Sequence, residues 1–338
     1  MVEPFHIMIS SAGRRVALME LFRRSLQALG RPGELLAIDM TPASSAYQRA
    51  DRGFIVPRCT DPSFVPRVLE ICEAERVRLV IPTIDPALPV YAAHREAFAA
   101  VGTTVLVSDP ETIAIAGDKV ATHAWLTAEG LPTVRQTTLA AALDELTAAD
   151  FPVIAKPTRG SSAIGVEVVH TRAQLQGLAD REGYIVQSMA RGNEYTVSML
   201  VRHDGSVPCA VPRRRLRVRA GEVSKGVAVR LEPVEALAME VARRLPGARG
   251  TINVQIFHDP ETGELNIIEI NPRFGGGFPL AFEAGARYPQ WIIEDLLGLP
   301  STAADTWTDR LVMLRYDDAV FVPGEQIGFG VGQEEPRT

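Results

Sequence analysis

Residues 267–280 read IIEINPRFGGGFPL. Glu269, Asn271 and Arg273 recur at every second position, with Ile268 and Ile270 between them, and Gly275, Gly276 and Gly277 follow. A period of two marks a strand with one polar and one apolar face. Upstream, TINVQIF (251–257) alternates likewise: Ile252, Val254 and Ile256 on one side, Thr251, Asn253, Gln255 and Phe257 on the other. The connector HDPETGE carries turn chemistry at Pro260 and Gly263. A hairpin turning near Thr262 sets Gln255 opposite Glu269, Asn253 opposite Asn271 and Thr251 opposite Arg273, with isoleucines and valines filling the other face. A bulge would slip this register by one. A solvated strand alternates too, but favours Lys, Glu and Thr over Asn, Gln and a single Glu. Such a weakly charged oxygen row suits Mg²⁺, which takes one or two carboxylates with phosphate oxygens and waters. Arg273 beside it suits a phosphoryl group in transfer. The pattern alone leaves both readings open.

Three further segments invite similar double readings. In AKPTRGSSAIGV, Lys156 ends an apolar strand, and Gly160, Ser161, Ser162, Ala163, Ile164 and Gly165 follow shortly. Small residues expose backbone N–H groups to phosphate oxygens and the lysine adds a point charge; a flexible hairpin loop is the plain alternative. The lysine precedes the glycines, so this is not a Walker A loop. Lys119 opens a helix over about 118–129, with Asp118 as N-cap, Gly130 as stop and Pro132 as block; a solvated first-turn lysine reads the same. YIVQSMARGNEYTV breaks a strand at Gln187, Ser188 and Met189, loops at Gly192 and restarts at Glu194. That break suits the edge of a base and a ribose, or an ordinary connection.

The first 110 residues alternate strands (FHIMIS, ELLAIDM, VRLVIPTID, TTVLVS) with helices, the first over RRVALMELFRRSLQALG. Alternation predicts βαβ units, a parallel sheet and ligands beyond the carboxyl ends of the strands. Ser11, Gly13, Arg14, Asp39, Thr83 and Asp85 lie there. The first loop has one glycine, Gly13, where a dinucleotide fingerprint needs G-x-G-x-x-G, which counts against NAD(P). At roughly 100–200 residues per domain, the 338-residue chain holds two or three domains. Its net charge of −6 argues against a nucleic-acid or membrane-surface partner. Cys59, Cys72 and Cys209 form no CxxC, the six histidines show no ligand spacing, and no signal peptide or long apolar run occurs, so a cytoplasmic protein is expected.

In this order, the DK at 118–119, VIAKP with its glycine loop, YIVQSMARGNEYTV, NVQ and IIEINPRFGGG resemble the ATP-grasp ligases, over about residues 5–320. The branch most like this chain includes the synthetase units of carbamoyl-phosphate synthetase and the pyrrolysine-biosynthesis ligase. The resemblance implies an α/β fold: a Rossmann-like pre-ATP-grasp domain over 1–112, then a two-lobed ATP-grasp module over 113–338, with a small lobe at about 118–187 and a large lobe at about 188–325. It implies that Lys119 and Lys156 hold the α- and β-phosphates and that the loop 160–165, with Gly160, Ser161, Ser162 and Gly165, closes over the triphosphate. Gln187, Ser188 and Met189 would form the adenine hinge and Glu194 would take the ribose. Gln255, Glu269 and Asn271 would bind two Mg²⁺ ions, or Mn²⁺ in their place, and Arg273, with Lys156 and Asn271, would serve the phosphoryl transfer. Relatives often carry an acid at the positions of Gln187, Gln255 and Ala87.

For the acceptor, Arg213, Arg215, Arg217 and Arg219 share one face of a strand, and a turn near Gly221 brings Lys225 back towards Arg217. Like charges facing across a hairpin call for an anion between them or for neighbouring acids. Gly275, Gly276 and Gly277 would admit the carboxylate to be phosphorylated, and Ser11, Arg14 and Asp85 would help select the amine. The reaction implied joins a small carboxylic acid to an amine through an acyl phosphate, with ADP released, in an enzyme of the carbon–nitrogen ligase class; homodimers are common in the family, and the sequence leaves the oligomeric state open. Carbamoyl-phosphate-like phosphorylation of bicarbonate or carbamate, and a degenerate ATP-binding module, are the alternatives.

Overall fold

The computed structural model describes residues 2–160, 164–219 and 222–328. Within them the chain divides into two compact units. The first holds the chain up to Val107, Arg287–Ala303 and the segment from Arg315 onward; the second holds Ser108–Ala286 and Ala304–Leu314.

The first unit is built on a parallel sheet of β1 (His6–Ser10), β2 (Leu35–Asp39), β3 (Arg52–Ile55), β4 (Val77–Pro82) and β5 (Thr104–Val105), in the order β3-β2-β1-β4-β5. Ile7, Met8 and Ile9, Leu35 to Ile38 and Leu79 to Ile81 are completely buried. Such unbroken apolar runs are what strands covered on both faces require. The pattern misses β3, because an edge strand of four half-buried or exposed residues has no periodic signal. The helix Val16–Ala28 buries Leu18, Met19, Leu21, Phe22 and Leu26 as its spacing predicts. Cys72 is buried in the helix Phe64–Ala74, and burial pushes its thiol up to about 12. The loop after β1 closes on itself: Gly13 N–H donates to Asp39 Oδ2 (2.8 Å), and Thr83 Oγ1 donates to the carbonyl of Ser11 (2.7 Å).

In the second unit, β6 (Gln136–Thr138), β7 (Val153–Pro157), β8 (Glu167–Val169) and β9 (Tyr184–Ser188) make an antiparallel sheet in the order β6-β9-β7-β8. Leu139, Leu146, Val153, Ala155, Val169, Leu175 and Val186 form its core. The larger sheet is β10 (Asn193–Val201), β11 (Ala210–Arg219), β12 (Glu222–Ala228), β13 (Gly250–His258), β14 (Leu265–Asn271) and β15 (Val312–Leu314), in the order β14-β13-β10-β11-β12-β15. On its apolar face Val197, Met199, Ile252, Val254, Ile256, Ile267 and Ile270 pack with Val234, Leu237, Ala238 and Val241 of the helix Glu232–Arg244. The two sheets are tied where Ile267 N–H donates to the Pro132 carbonyl (2.9 Å) and Thr133 Oγ1 to the Ile267 carbonyl (2.9 Å).

The helix Lys119–Ala128 is capped as its sequence predicts, Asp118 Oδ1 accepting from the N–H groups of Val120 (2.8 Å) and Ala121 (3.3 Å). Burial pushes the Asp118 carboxyl up, and the Arg159 guanidinium and these amides more than offset it, holding it below the usual range. The cap places Lys119 at the mouth of the small sheet, where its N–H donates to the Thr158 carbonyl (2.9 Å). Asp118→Ala is expected to cost about 1 kcal/mol. That corresponds to a fall of about 2–4 °C in the unfolding midpoint of a unit this size, read by calorimetry, and Asp118→Asn should recover most of it.

Candidate active site

The hairpin that opens the sequence reading is β13–β14. Asn253 pairs with Asn271 and Gln255 with Glu269. A register shift lies between Gln255 and Ile256, on the turn side of both pairs, and makes Ile268 the extra residue. The polar register expected from the alternation therefore holds for these two pairs. The apolar one is corrected: Ile267 and Ile270 enter the core, while Ile268 is half-buried at the bulge. Arg273 lies beyond the end of β14, so the ladder does not extend to a Thr251–Arg273 pair.

Ladder partners point to the same face of a sheet, so the registers define a polar surface four strands wide in one row and three in the next. One row runs Glu269, Gln255, Thr196, Arg213; the next runs Asn271, Asn253, Ser198, Val211. Asn253, 3% exposed, is the hub of this face. Its Oδ1 accepts from Ser198 Oγ (2.7 Å) and Arg213 Nη2 (3.0 Å), and its Nδ2 donates to the carbonyl of Arg273 (2.5 Å). The sequence reading gives Asn253 a place in the pairing but no role; its signal was the unbroken polar alternation of β13.

Two lysines come next, one on the small sheet and one on the helix Lys119–Ala128. Lys156, on β7, is only 6% exposed. Burial pulls its ammonium down, Glu269 on the large sheet opposes the shift and Lys119 adds to it, leaving it at about 8. Lys119 Nζ donates to the carbonyl of Gly160 (3.0 Å) at the start of the glycine-rich loop. Ser161 and Ser162 lie outside the described residues. Gly165 has φ +73°, a conformation open mainly to glycine, and a side chain there would meet Tyr184 and Pro157.

At the strand break, Gln187 is buried and its Nε2 donates to Gln136 Oε1 (2.7 Å), while Gln136 Nε2 donates to the Lys119 carbonyl (3.3 Å). This relay couples the Gln187 strand to the Lys119 helix, and no motif marks Gln136. Ser188 N–H donates to the Arg135 carbonyl (3.0 Å), and Met189 is exposed. Glu194 Oε1 accepts from Arg215 Nη1 (2.7 Å), so a residue expected at the ribose and one expected at the acceptor form a half-buried ion pair.

The arginine stripe does not survive as a stripe. Register shifts fall between Arg215 and Arg217 and between Arg217 and Val218. Arg213 is buried, Arg215 is half-buried, and Arg217 and Arg219 are exposed. Lys225 does stand opposite Arg217 as expected; Gly221 lies outside the described residues. Gly277 answers to space rather than to an unusual φ: a side chain there would overlap Arg213 Nη1, whereas one on Gly275 would meet Asn253 at ordinary contact distance. Ser11 (φ +54°), Arg14 and Asp85 belong to the first unit, at the carboxyl ends of β1 and β4.

Among the described residues no group of three or more His, Cys, Asp or Glu could hold a metal, and no helix is long and apolar enough to cross a membrane. The candidate metal row has a different donor set, the Glu269 carboxylate with the Gln255 and Asn271 amides. All are oxygen donors on adjacent strands, which fits Mg²⁺ completed by phosphate oxygens and waters.

The buried ammonium yields a prediction with a definite sign. The folded state lowers the pKa of Lys156 from 10.5 to about 8, so between those values the unfolded chain binds more protons and stability rises with pH. Below about pH 8 the full penalty is present, on the order of 3 kcal/mol. Lys156→Met should therefore raise the unfolding midpoint by several degrees at pH 7, with the gain shrinking towards pH 10, as thermal melts across that range would show.

Residues 7–106 match the family model described as PylC-like, N-terminal domain, and residues 116–277 match that of the ATP-grasp domain. The carbamoyl phosphate synthase large chain of Methanothermobacter thermautotrophicus is 26% identical over 282 residues, covering 76% of this chain and 26% of that protein. The D-alanine–D-alanine ligase of Corynebacterium aurimucosum is 30% identical over 201 residues, covering 52% of this chain and 55% of that protein. The chain thus spans about a quarter of the first relative and about half of the second. Among solved structures, the biotin carboxylase domain of the Hydrogenobacter thermophilus 2-oxoglutarate carboxylase, determined with MgADP and bicarbonate, is similar with a TM-score of 0.71 at 16% identity, over 92% of this chain and 74% of that one. With matching domain models over both parts of the sequence and the same fold, this chain belongs to the ATP-grasp family and carries a PylC-like N-terminal domain ahead of its grasp.

Proposed function

We propose that the chain is an ADP-forming carboxylate–amine ligase. The observation that carries this reading is the buried ammonium of Lys156, near enough to Glu269 to feel its charge, together with the oxygen donors that Gln255 and Asn271 add beside Glu269. Desolvating a lysine is costly. A polyanion seated between the sheets would repay that cost, and Mg·ATP matches it in charge and in its need for oxygen ligands. The names of the relatives point the same way, towards ATP-dependent activation of an acid.

In this reading residues 1–112 are the Rossmann-like domain and 113–338 the grasp module, with lobes meeting near 187–188. Lys119 and Lys156 hold the α- and β-phosphates under the loop 160–165. Gln187, Ser188 and Met189 receive the adenine, through backbone groups ordered by the Gln187–Gln136–Lys119 relay. Glu194 takes the ribose, its carboxylate oriented by Arg215. Gln255, Glu269 and Asn271 would hold two Mg²⁺ ions, or Mn²⁺, with Glu269 shared. Bound there, the metal would neutralise charge on the β- and γ-phosphates. A carboxylate oxygen attacks the γ-phosphorus as the bond to ADP breaks, with Arg273 bonding the transferring oxygens. The amine nitrogen then attacks the acyl carbon, the bond from that carbon to the phosphate oxygen breaks so that phosphate leaves with the bonding pair, and the nitrogen releases a proton. Loop closure keeps water from the acyl phosphate. Small-molecule acid and amine substrates, a homodimer and a cytoplasmic setting, without a nucleic-acid or membrane partner, complete the proposal. A second reading, phosphorylation of bicarbonate or carbamate, has the carbamoyl phosphate synthase similarity in its favour.

Hydroxylamine trapping with Mg·ATP across acetate, succinate and the L-amino acids tests the proposal. ADP and hydroxamate appearing with one acid class support the ligase. ADP without hydroxamate favours bicarbonate, and ATP binding with neither product favours a binding module. Glu269→Ala should lower ADP release at least about a hundredfold, on the scale of losing one preorganised transition-state contact, with the fold retained by circular dichroism. Activity within about tenfold of wild type would remove Glu269 from the metal site.

A further inference from the structure

In the second unit β10 ends at Val201, opposite the start of β13 at Gly250, and beside that end of the sheet lies a cavity of about 230 Å³. Its floor is apolar, with Val201, Ala242 and Leu245 buried. Its rim is basic: Arg202 and His203 come from the turn after β10, Arg243 from the helix Glu232–Arg244, and Arg249 from the loop before β13. Both loops are fixed. Arg202 N–H donates to the Ser206 carbonyl (3.0 Å), Gly205 N–H donates to the Arg202 carbonyl (3.0 Å), and Asp204 Oδ1 accepts from the N–H (2.9 Å) and Oγ (2.6 Å) of Ser206. Thr112 Oγ1 donates to the Pro246 carbonyl (2.6 Å), Asp109 N–H to that of Gly247 (2.9 Å) and Ser108 Oγ to that of Arg249 (3.0 Å). Gly247 has φ +68°, and a side chain there would collide with Asp109. Asp204 and Asp109 offset part of the positive charge. Asp204 feels Arg202 and His203, and Asp109 makes a loose ion pair with Arg249 (3.5 Å to Nε). Among the described residues the only polar contact of Arg243 is the Met239 thioether (4.0 Å). The helix macrodipole accounts for arginines in the last turn, and Arg244 is paired there with Glu240 and Glu129. It does not account for Arg202, His203 and Arg249, which other segments bring to the same cavity.

We propose that this cavity binds the phosphate group of a small phosphomonoester, at a site separate from the nucleotide's. Guanidinium groups match phosphate oxygens in pairs. A cleft with apolar walls and one sign of charge at its rim focuses its field on an anion. The volume lies below the roughly 300–1,000 Å³ of pockets that enclose drug-sized ligands, so a phosphate on a short carbon chain fits and a second nucleotide does not. Gln255 of the candidate metal row stands about 17 Å further along β13 from Gly250, at the rise of an extended strand. The site therefore stands independently of the ligase reading.

The test uses the full chain as wild type, Arg202→Met, Arg243→Met, Arg244→Met and Lys156→Met, each checked for a native circular dichroism spectrum. Binding of labelled orthophosphate is read by equilibrium dialysis, and glycerol 3-phosphate or glycerol is then added as competitor. Wild type should bind phosphate, and its affinity should fall about tenfold or more in Arg243→Met and in Arg202→Met, the range for losing a charge-assisted hydrogen bond. Arg244→Met and Lys156→Met should keep that binding within about twofold, as substitutions away from the cavity should. Glycerol 3-phosphate should displace the label and glycerol should not. Wild-type affinity in both Arg202→Met and Arg243→Met would overturn the proposal, as would the absence of phosphate binding in wild type. Loss in Lys156→Met instead would put the phosphate at the nucleotide position, and an equal loss in Arg244→Met would reduce the effect to general surface charge; either result overturns the site. Failure of glycerol 3-phosphate to compete would overturn the phosphomonoester.

Discussion

Gln255 pairs with Glu269 across β13 and β14, and the candidate site depends on that register. The same two strands supply Ile252, Val254, Ile256, Ile267 and Ile270 to the core on the opposite face. Sheet side chains alternate with a period of two, so a one-residue slip would bury the carboxylate and both amides and expose the isoleucines. Burial of the apolar face therefore enforces the geometry of the polar one. The bulge could have destroyed this arrangement, but it lies on the turn side of Gln255, where it absorbs the extra residue Ile268 before the polar rows begin.

Electrostatics adds a second constraint of opposite sign. Lys156 is buried in the small sheet at a cost the rest of the fold must carry, with Glu269 as partial compensation. The free protein is thereby less stable than it would be with an apolar residue at 156, and the difference is available to a polyanionic ligand. This opposition between stability and binding makes Lys156 a candidate functional group.

The polar network behind the site has a different character. Asn253, Ser198 and Gln136 touch neither a lysine ammonium nor the carboxylate of Glu269 through the bonds described, yet they fix the arginine, the turn and the strand break that do the positioning. Asn253 in particular registers Arg213 against Arg273. A neutral amide suits that position, since it accepts from one arginine through Oδ1 and donates to the backbone of the other through Nδ2.

What the sequence determined by itself is the set of strongly periodic or locally encoded features. The alternation over 251–257 and 268–273 specifies the strands and the Gln255–Glu269 and Asn253–Asn271 pairs, because turn residues and a period of two act over a dozen residues. Asp118 specifies its cap through its own side chain, and the unbroken apolar runs specify the parallel sheet. Tertiary structure alone decided the rest. β3 needed a neighbouring strand to exist at all. Gln136 meets Gln187 across 51 positions of sequence, and Arg213 meets Asn253 across 40. The four arginines read as one stripe, but Arg213 is buried against Ser198 and Asn253, while Arg217 and Arg219, beyond the first of two register shifts in β11–β12, are exposed. Local patterns record which face a residue prefers; which distant group stands on that face is settled only when strands far apart in sequence are brought into register.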